Sequence, residues 1–387
     1  MNKLKVSITL VIFAALTALF VYVGCTRQPN VRITGTIVKI DNYGQPVPSF
    51  TPQEMLEAGF NYGDLIAVRC TGTETMVMPF VTAYTEAGIM GLCFCDYGGE
   101  GKQYGLGLAN GSWYDRVYPA QVGDTIIIML YRRGGYMKEY EMLRSVYTYD
   151  RADYASPEVF ANFREVNVRG IAPKRLYRSS NPLSSRNNPV RYAVADSLAR
   201  VVGIRTEIDL ADTPEFIQEM MRDKDYASTY CPALFRKGQV FAQPMAADAW
   251  TLSSRSTVVA ALRFMINHEP PYLIHCNEGK DRCGYVNLVI AALMGASLDE
   301  IQEEYMTTFC NYYHFVPGTK PYELLQKKTI QRMVYLMAHP STLDDLEDIR
   351  WSQATLHSIN LEKAATRYLL DSGLTISEIN TLKKKLQ

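Results

Sequence analysis

The chain of 387 residues has no excess of charge of either sign, since 40 Lys and Arg stand against 40 Asp and Glu. That balance argues against nucleic acid as a partner, because holding a polyanion takes a surplus of cations gathered on one face. Basic residues cluster only at Arg132-Arg133 and at Lys383-Lys-Lys385, and the latter reads as the solvated end of a capped helix. Low-complexity runs are missing too, and with 47% hydrophobic residues the composition is that of an ordinary globular protein, long enough for two domains. Cys70, Cys93, Cys95, Cys231 and Cys310 lack the paired spacing of a zinc site and read as buried free thiols, with Cys93 and Cys95 expected on opposite faces of one apolar strand.

What is there is concentrated in Tyr272-Leu-Ile-His-Cys-Asn-Glu-Gly-Lys-Asp-Arg-Cys-Gly284. A strand-like run, Pro271 to Ile274, leads into it, and an apolar helix, Tyr285 to Met294, leads away and closes at Gly295. A tetrahedral dianion needs converging backbone N–H donors and a fixed cation. A glycine-containing loop at a helix N-terminus supplies the first, and the planar guanidinium of Arg282 the second. Cys276 then stands at the mouth of the loop as a nucleophile, its thiolate favoured by the helix start and the guanidinium. Asn277, Glu278, Gly279, Lys280 and Cys283 complete the expected phosphate-binding loop. The spacing of Cys and Arg is weak by itself; the order strand, loop, helix gives it weight.

The loop resembles that of the bacterial tyrosine/serine phosphatases, His-Cys-x-x-Gly-Lys-Asp-Arg-Thr-Gly, at His275, Cys276, Gly279, Lys280, Asp281, Arg282 and Gly284. The likeness extends upstream through Ala161-Asn-Phe-Arg164, Arg175-Leu-Tyr-Arg-Ser179 and Gly203-Ile-Arg-Thr-Glu-Ile-Asp-Leu210, and downstream to Arg367 through Ile379. It implies a parallel sheet flanked by helices, a phosphocysteine mechanism, and substrates from phosphotyrosine and phosphoserine to phosphoinositides. Cys283 departs from the pattern, standing where that family usually has Thr or Ser to bond the nucleophile's sulfur. A thiol is a weaker donor, so slower turnover is expected, or a Cys276–Cys283 bond under oxidation, or simple tolerance of a small residue.

The general acid has several candidates. Asp281 is carried on the loop itself, with the alternative that its carboxylate only holds the loop's shape through Arg282 or Lys280. Asp209 and Asp212 follow the apolar strand Ile204 to Leu210, at the strand ends where sites of open parallel sheets gather. Asp248, in Gln243-Pro-Met-Ala-Ala-Asp-Ala-Trp250, qualifies if that stretch folds over the site. Lys280 offers a second cation suited to polyanionic substrates, and Glu278 opposes it. Arg164 and Arg178 lie within matched motifs and are candidates to reach a phosphate or to form structural ion pairs. His275 is expected to point away from the phosphate and hold the loop backbone. The aromatic group Tyr305, Phe309, Tyr312, Tyr313, His314 and Phe315 reads as core, with a pocket lining as the alternative.

Residues 31 to 150 read as β-rich, with Gly63-Asp64 and Gly123-Asp124 each launching a strand. A small barrel is expected, similar at Gly35 to Gly44, Leu108 to Gly111 and Val122 to Asp124 to the carboxyl-terminal barrel of the adenosylmethionine hydroxide adenosyltransferases, whose catalytic half has no counterpart here. The start of the chain, charged Asn2-Lys-Leu-Lys5, apolar Val6 to Gly24 and then Cys25, resembles a bacterial lipoprotein signal, with an uncleaved anchor as the alternative. It implies lipidation of Cys25 and a tether at the periplasmic face of the outer membrane. The expected organisation is therefore a signal peptide (1–24), a β-rich barrel domain (25–150) and an α/β cysteine-phosphatase domain (151–387), linked near Tyr147 to Pro157. The expected function is hydrolysis of phosphate monoesters on proteins, needing no metal or organic cofactor. The alternatives are an inositol-polyphosphate or phosphoinositide phosphatase and a ligand-binding lipoprotein with a retired phosphatase domain.

Overall fold

Two glycine–aspartate turns set the frame of the first sheet. Gly63 (φ +83°) and Gly123 (φ +98°) take the left-handed backbone that other residues avoid, and the aspartate after each ties the turn down. Asp64 is fully buried, accepting from the N–H groups of Asn61 and Gly134 (2.8 Å each) and from Arg133 Nη1 at 2.6 Å. Asp124 accepts from Gln121 N–H at 2.8 Å. The computed structural model describes residues 31–41, 44–89, 91–96, 105–109, 117–144, 148–184, 190–246, 252–339 and 353–387. Residues 1–24, Cys25 and Asp248 lie outside them.

The seven strands are β1 (Arg32–Ile40), β2 (Pro46–Pro48), β3 (Leu65–Cys70), β4 (Met76–Val81), β5 (Leu92–Cys95), β6 (Gly105–Leu108) and β7 (Thr125–Arg132), in the order β2-β1-β7-β3-β4-β5-β6. All neighbours run antiparallel except β4 and β5. The edge strands meet: a Cβ on Gly105 of β6 would lie 2.6 Å from the Pro46 carbonyl oxygen of β2, so the sheet curls until it nearly closes. Alternate residues Ile66, Val68, Ile126 and Ile128 face inward onto Phe50, Phe60, Phe80 and Phe94. Cys93 and Cys95, expected on opposite faces of β5, share one cluster with Val81 and Tyr140 while Phe94 faces the other way. Residues two apart in a strand complete one pleat and return to the same face, which corrects that expectation.

The second sheet comprises β8 (Arg164–Glu165), β9 (Leu176–Ser179), β10 (Thr206–Asp209), β11 (Val240–Ala242) and β12 (Tyr272–His275), in the order β11-β10-β12-β9-β8. It is parallel apart from β8, which runs against β9. β12 is central and buried throughout, as a parallel strand covered on both faces must be. The helices used below are α1 (Arg191–Val202), α2 (Leu252–Asn267), α3 (Asp281–Leu293), α4 (Leu298–Tyr313), α5 (Lys320–Lys328), α6 (Ile330–Ala338), α7 (Leu361–Asp371) and α8 (Ile376–Leu386). The result is a mixed α/β fold. α3 is buried on every side from Cys283 to Leu293, matching a sequence that is apolar there except at Asn287, whose Nδ2 donates to the Cys283 carbonyl at 2.8 Å. Capping boxes start α4 at Ser297 with Glu300 and α8 at Thr375 with Glu378.

Among its described residues the polar stretch between the sheets holds a turn of 3₁₀ helix, Arg151–Asp153, and a short helix, Pro157–Phe160, capped by Ser156. The two sheets are also joined away from that stretch. Ile89 N–H donates to the Lys328 carbonyl at 2.8 Å, Arg332 donates to the Ile89 carbonyl, and Lys328 Nζ donates to Tyr136 Oη at 3.0 Å.

Candidate active site

β12 ends at His275, and the chain then turns through Cys276 to Lys280 before α3 begins at Asp281. Gly279 makes the turn possible for two reasons. Its φ is +66°, and a Cβ there would lie 2.1 Å from the Ser179 carbonyl oxygen at the end of β9. Gly284, in the first turn of α3, is equally constrained, since a Cβ would lie 2.6 Å from the Tyr305 ring. Cys276 is buried and Arg282 half-buried, and Arg282 Nη1 donates to the Leu210 carbonyl at 3.0 Å. The guanidinium is thereby fixed at the carboxyl ends of β10 and β12, where sites in open α/β sheets form.

Behind the loop lies a buried charged cluster. Arg178 of β9, fully enclosed, donates from Nη2 to the carbonyls of Gly279 (2.5 Å) and Lys280 (3.1 Å), and from Nη1 to Glu304 Oε2 on α4 (2.5 Å). Arg164 of β8 donates from Nε to Glu304 Oε1 at 3.0 Å, from Nη2 to the Glu304 carbonyl at 2.8 Å, and from Nη1 to Asn162 Oδ1 at 2.6 Å. Asn162, itself at φ +50°, donates from Nδ2 to the Glu278 carbonyl at 3.0 Å. Both arginines named as possible phosphate contacts are thus engaged with Glu304 and the loop's support. Burial works to raise the Glu304 carboxyl, but Arg178 and Arg164 outweigh it and hold the group below its usual value.

In front, Lys280 is enclosed by aromatic rings and acids. Its Nζ donates to Tyr313 Oη at 3.0 Å, lies 3.2 Å from Glu278 Oε2, and sits over the Tyr313 ring at 5.0 Å. Tyr313 Oη in turn donates to Glu278 Oε2 at 3.0 Å. Asp281 Oδ1 accepts from Tyr305 Oη at 3.0 Å, and Oδ2 lies 3.9 Å from Lys280 Nζ. Its side chain remains 26% exposed. Of the aromatic group, Tyr305, Phe309 and Tyr312 are core, and Tyr305 and Tyr313 also turn their hydroxyls onto the loop.

Beneath Cys276, His275 Nε2 pairs with Glu207 Oε1 at 2.7 Å, and Nδ1 lies 3.8 Å from Asp209 Oδ1, all three side chains fully buried. Burial alone would lower the imidazole, but Asp209 and then Glu207 overcome it and raise His275 to about 9. Asp209 is pushed up chiefly by burial, against the pull of His275. Its Oδ1 accepts from the N–H groups of Ala211 (2.7 Å) and Asp212 (3.1 Å), and Asp212 Oδ2 accepts from Asn181 Nδ2 at 2.7 Å. Asp209 and Asp212 are enclosed, unlike Asp281. Cys276 and Cys283 are both free thiols. Cys283 donates from Sγ to the Ile274 carbonyl at 3.2 Å and accepts from Asn287 Nδ2 at 3.3 Å, and burial pushes it up to about 12.

Glu304, Thr308 and Glu207 escaped the sequence reading, and Tyr305 was expected only as core or pocket lining, not as a partner of Asp281. Each acts through long-range contact, and only the one-turn spacing of Glu304 and Thr308 on α4, both bonded to Arg164, leaves a local trace. Among the described residues no group of His, Cys, Asp and Glu is placed to hold a metal ion.

Comparison with solved structures finds similarity to an uncharacterized conserved protein from Thermotoga maritima (17% identity, TM-score 0.23), over 26% of this chain and 37% of that one, so the match spans about a third of its length. The core catalytic domain of the PP-IP phosphatase SIW14 from S. cerevisiae, solved with citrate, is similar over 43% of this chain and 85% of its own (20% identity, TM-score 0.25). A proposed phosphatase from Neisseria meningitidis is similar over 42% and 97% (17% identity, TM-score 0.24). No curated protein matches. The family model described as "Tyrosine phosphatase family" matches residues 158–387, which include both sheet arginines, the whole loop and α3 to α8, and the chain therefore belongs to the tyrosine phosphatase family.

Proposed function

We propose that the protein hydrolyses phosphate monoesters through a phosphocysteine intermediate on Cys276, with phosphotyrosine or phosphoserine side chains of proteins as substrates. The observation that carries this reading is the seating of Cys276 at the end of the central strand, on a loop whose glycine conformation and adjoining helix start suit an oxyanion, with Arg282 anchored alongside. Cys276 Sγ attacks phosphorus in line, forming the S–P bond as the ester P–O bond breaks. The Asp281 carboxyl gives a proton to the departing oxygen. Water then attacks phosphorus and passes a proton to the Asp281 carboxylate while the S–P bond breaks, which returns the thiolate and releases phosphate. The exposure of Asp281, in contrast to buried Asp209 and Asp212, supports giving it this role.

Pairing of Lys280 with Glu278 and Tyr313 favours a single phosphoryl group over an inositol polyphosphate, since the second cation on the loop is already matched by an acid. From the sequence of the first 25 residues we further propose a lipid tether at Cys25 and an extracytoplasmic, membrane-held enzyme. Its first, nearly closed sheet would then lie between the tether and the catalytic unit.

The test is phosphate release by the reduced fragment following Cys25, beside Cys276→Ser, from a phosphotyrosine peptide, a phosphoserine peptide, inositol phosphates and phosphoinositides. Release from the peptides that vanishes in Cys276→Ser supports the reading. Preference for inositol phosphates moves the substrate class, and no release from a folded, reduced protein leaves a binding lipoprotein.

A further inference from the structure

We propose that Glu304 is a positioning residue for the phosphate loop, acting through Arg178 and Arg164; this rests on the function proposed above. Because the peptide unit is planar and trans, a carbonyl pulled to one side sends the following N–H to the other. Asn162 holds the Glu278 carbonyl at 3.0 Å, and Arg178 holds those of Gly279 at 2.5 Å and Lys280 at 3.1 Å. Three successive peptide units are therefore turned alike, and the N–H groups of Gly279, Lys280 and Asp281 all point away from the arginine side. A row of N–H groups turned one way at a helix start is the anion cradle the chemistry requires.

The cradle's geometry depends on two enclosed guanidinium groups lying close together. Burial depresses Arg164 to about 10, Glu304 works against that, and the charge of Arg178 adds to the depression. One carboxylate serves both cations: Oε2 takes Arg178 and Oε1 takes Arg164, while Thr308, one turn further along α4, accepts from Arg164 Nη2 at 3.1 Å and from Asn162 Nδ2 at 3.1 Å. Removing the negative charge leaves buried Arg178 and largely enclosed Arg164 facing each other without compensation, so Arg178 must move; the Gly279 carbonyl then keeps only Asn162 Nδ2 at 3.4 Å and the Lys280 carbonyl only the Gly284 N–H. Glu304 touches neither Cys276 nor a loop residue by any of these bonds; its effect passes wholly through the arginines.

The experiment compares wild type, Glu304→Gln, Glu304→Asp and Asn162→Gly for kcat/KM on a phosphotyrosine peptide, for inhibition by orthovanadate, and for folding by circular dichroism. Asn162→Gly deletes one carbonyl clamp directly while keeping a residue at ease with positive φ, and Glu304→Asp tests Glu304 if Glu304→Gln does not fold. Expected in folded Glu304→Gln are a loss of about 100-fold in kcat/KM and an orthovanadate inhibition constant raised about tenfold or more. Glu304→Asp should recover part of both, and Asn162→Gly should lose about tenfold in each. A purely structural residue would lower the unfolding midpoint and leave vanadate inhibition of the folded enzyme unchanged. Active wild type with folded Glu304→Gln, or folded Glu304→Asp where the Gln variant does not fold, matching it in both readouts overturns this inference alone. Wild type that neither hydrolyses the peptide nor binds orthovanadate overturns the proposed function together with it.

Discussion

Gly279→Ala is the substitution whose effect follows most directly from the geometry. At φ +66° an alanine gives up about 1–2 kcal/mol relative to a relaxed backbone. Its Cβ would also stand 2.1 Å from the Ser179 carbonyl oxygen and 2.6 Å from the carbonyl carbon, where ordinary contact begins at 3.4 Å. Both atoms are backbone at the end of β9, in a packed interior that yields little, so the loop must retreat by roughly 1 Å. A shift of that size in a group that holds the reacting phosphoryl lowers the rate by about 100-fold. Stability should fall as well, by about 1–3 kcal/mol, the ordinary range for strain of this kind. The assay is kcat/KM on a phosphotyrosine peptide together with urea unfolding of the same preparation. A folded Gly279→Ala protein within about threefold of wild-type kcat/KM would refute the reasoning, because one of the clash, the conformation and the loop's part in binding must then be wrong.

Two further outcomes are expected from the ionisable groups. His275 is raised in the folded state, so it contributes stability that is fully present below its unfolded value of about 6.5 and is lost as pH rises through about 9. Asp209, also raised, adds a loss in the same direction at lower pH. Urea unfolding at pH 6.5 and at pH 9 should show wild type losing roughly 2–3 kcal/mol, with His275→Gln nearly flat between them; equal slopes in the two proteins would count against the buried His275–Glu207–Asp209 assembly. Cys283, pushed up to about 12 by burial, carries a thiolate fraction of only about one in 100,000 at pH 7, and should escape iodoacetamide in the folded protein while reacting in urea. Peptide mapping that finds native Cys283 labelled as fast as an exposed thiol would show that its bond to the Ile274 carbonyl is not made.

What the sequence made legible was whatever is local. The strand, loop and helix around Cys276 are contiguous, so their order and the need for Gly279 could be seen in thirteen residues, and the Ser297 and Thr375 caps announce themselves by the acid three positions on. The nearly closed first sheet was foreshadowed by its Gly-Asp turns. The support behind the loop was not legible, because it joins residues far apart in the chain: Arg164 meets Glu304 across 140 positions and Arg178 meets Gly279 across 101. Sequence alone could rank Arg164 and Arg178 as phosphate contacts or structural pairs, but only the burial and shared carboxylate of Glu304 show what they bond. Lys280 has a similar history. Its charge was plain, whereas its enclosure by Tyr313 and Phe309 and its pairing with Glu278 depend on how α4 crosses the loop. Cys93 and Cys95 stand one full pleat apart and so share a face of β5, where opposite faces were expected.

The most direct test of the central claim is to mix the reduced protein with a phosphotyrosine peptide, quench with acid within one turnover, and locate any phosphoryl group by mass spectrometry of the digest. One phosphoryl group on the peptide containing Cys276, absent in Cys276→Ser and lost on longer incubation as phosphate appears, is the expected result. Steady phosphate release with no phosphoryl group on Cys276, or full turnover by Cys276→Ser, would contradict it.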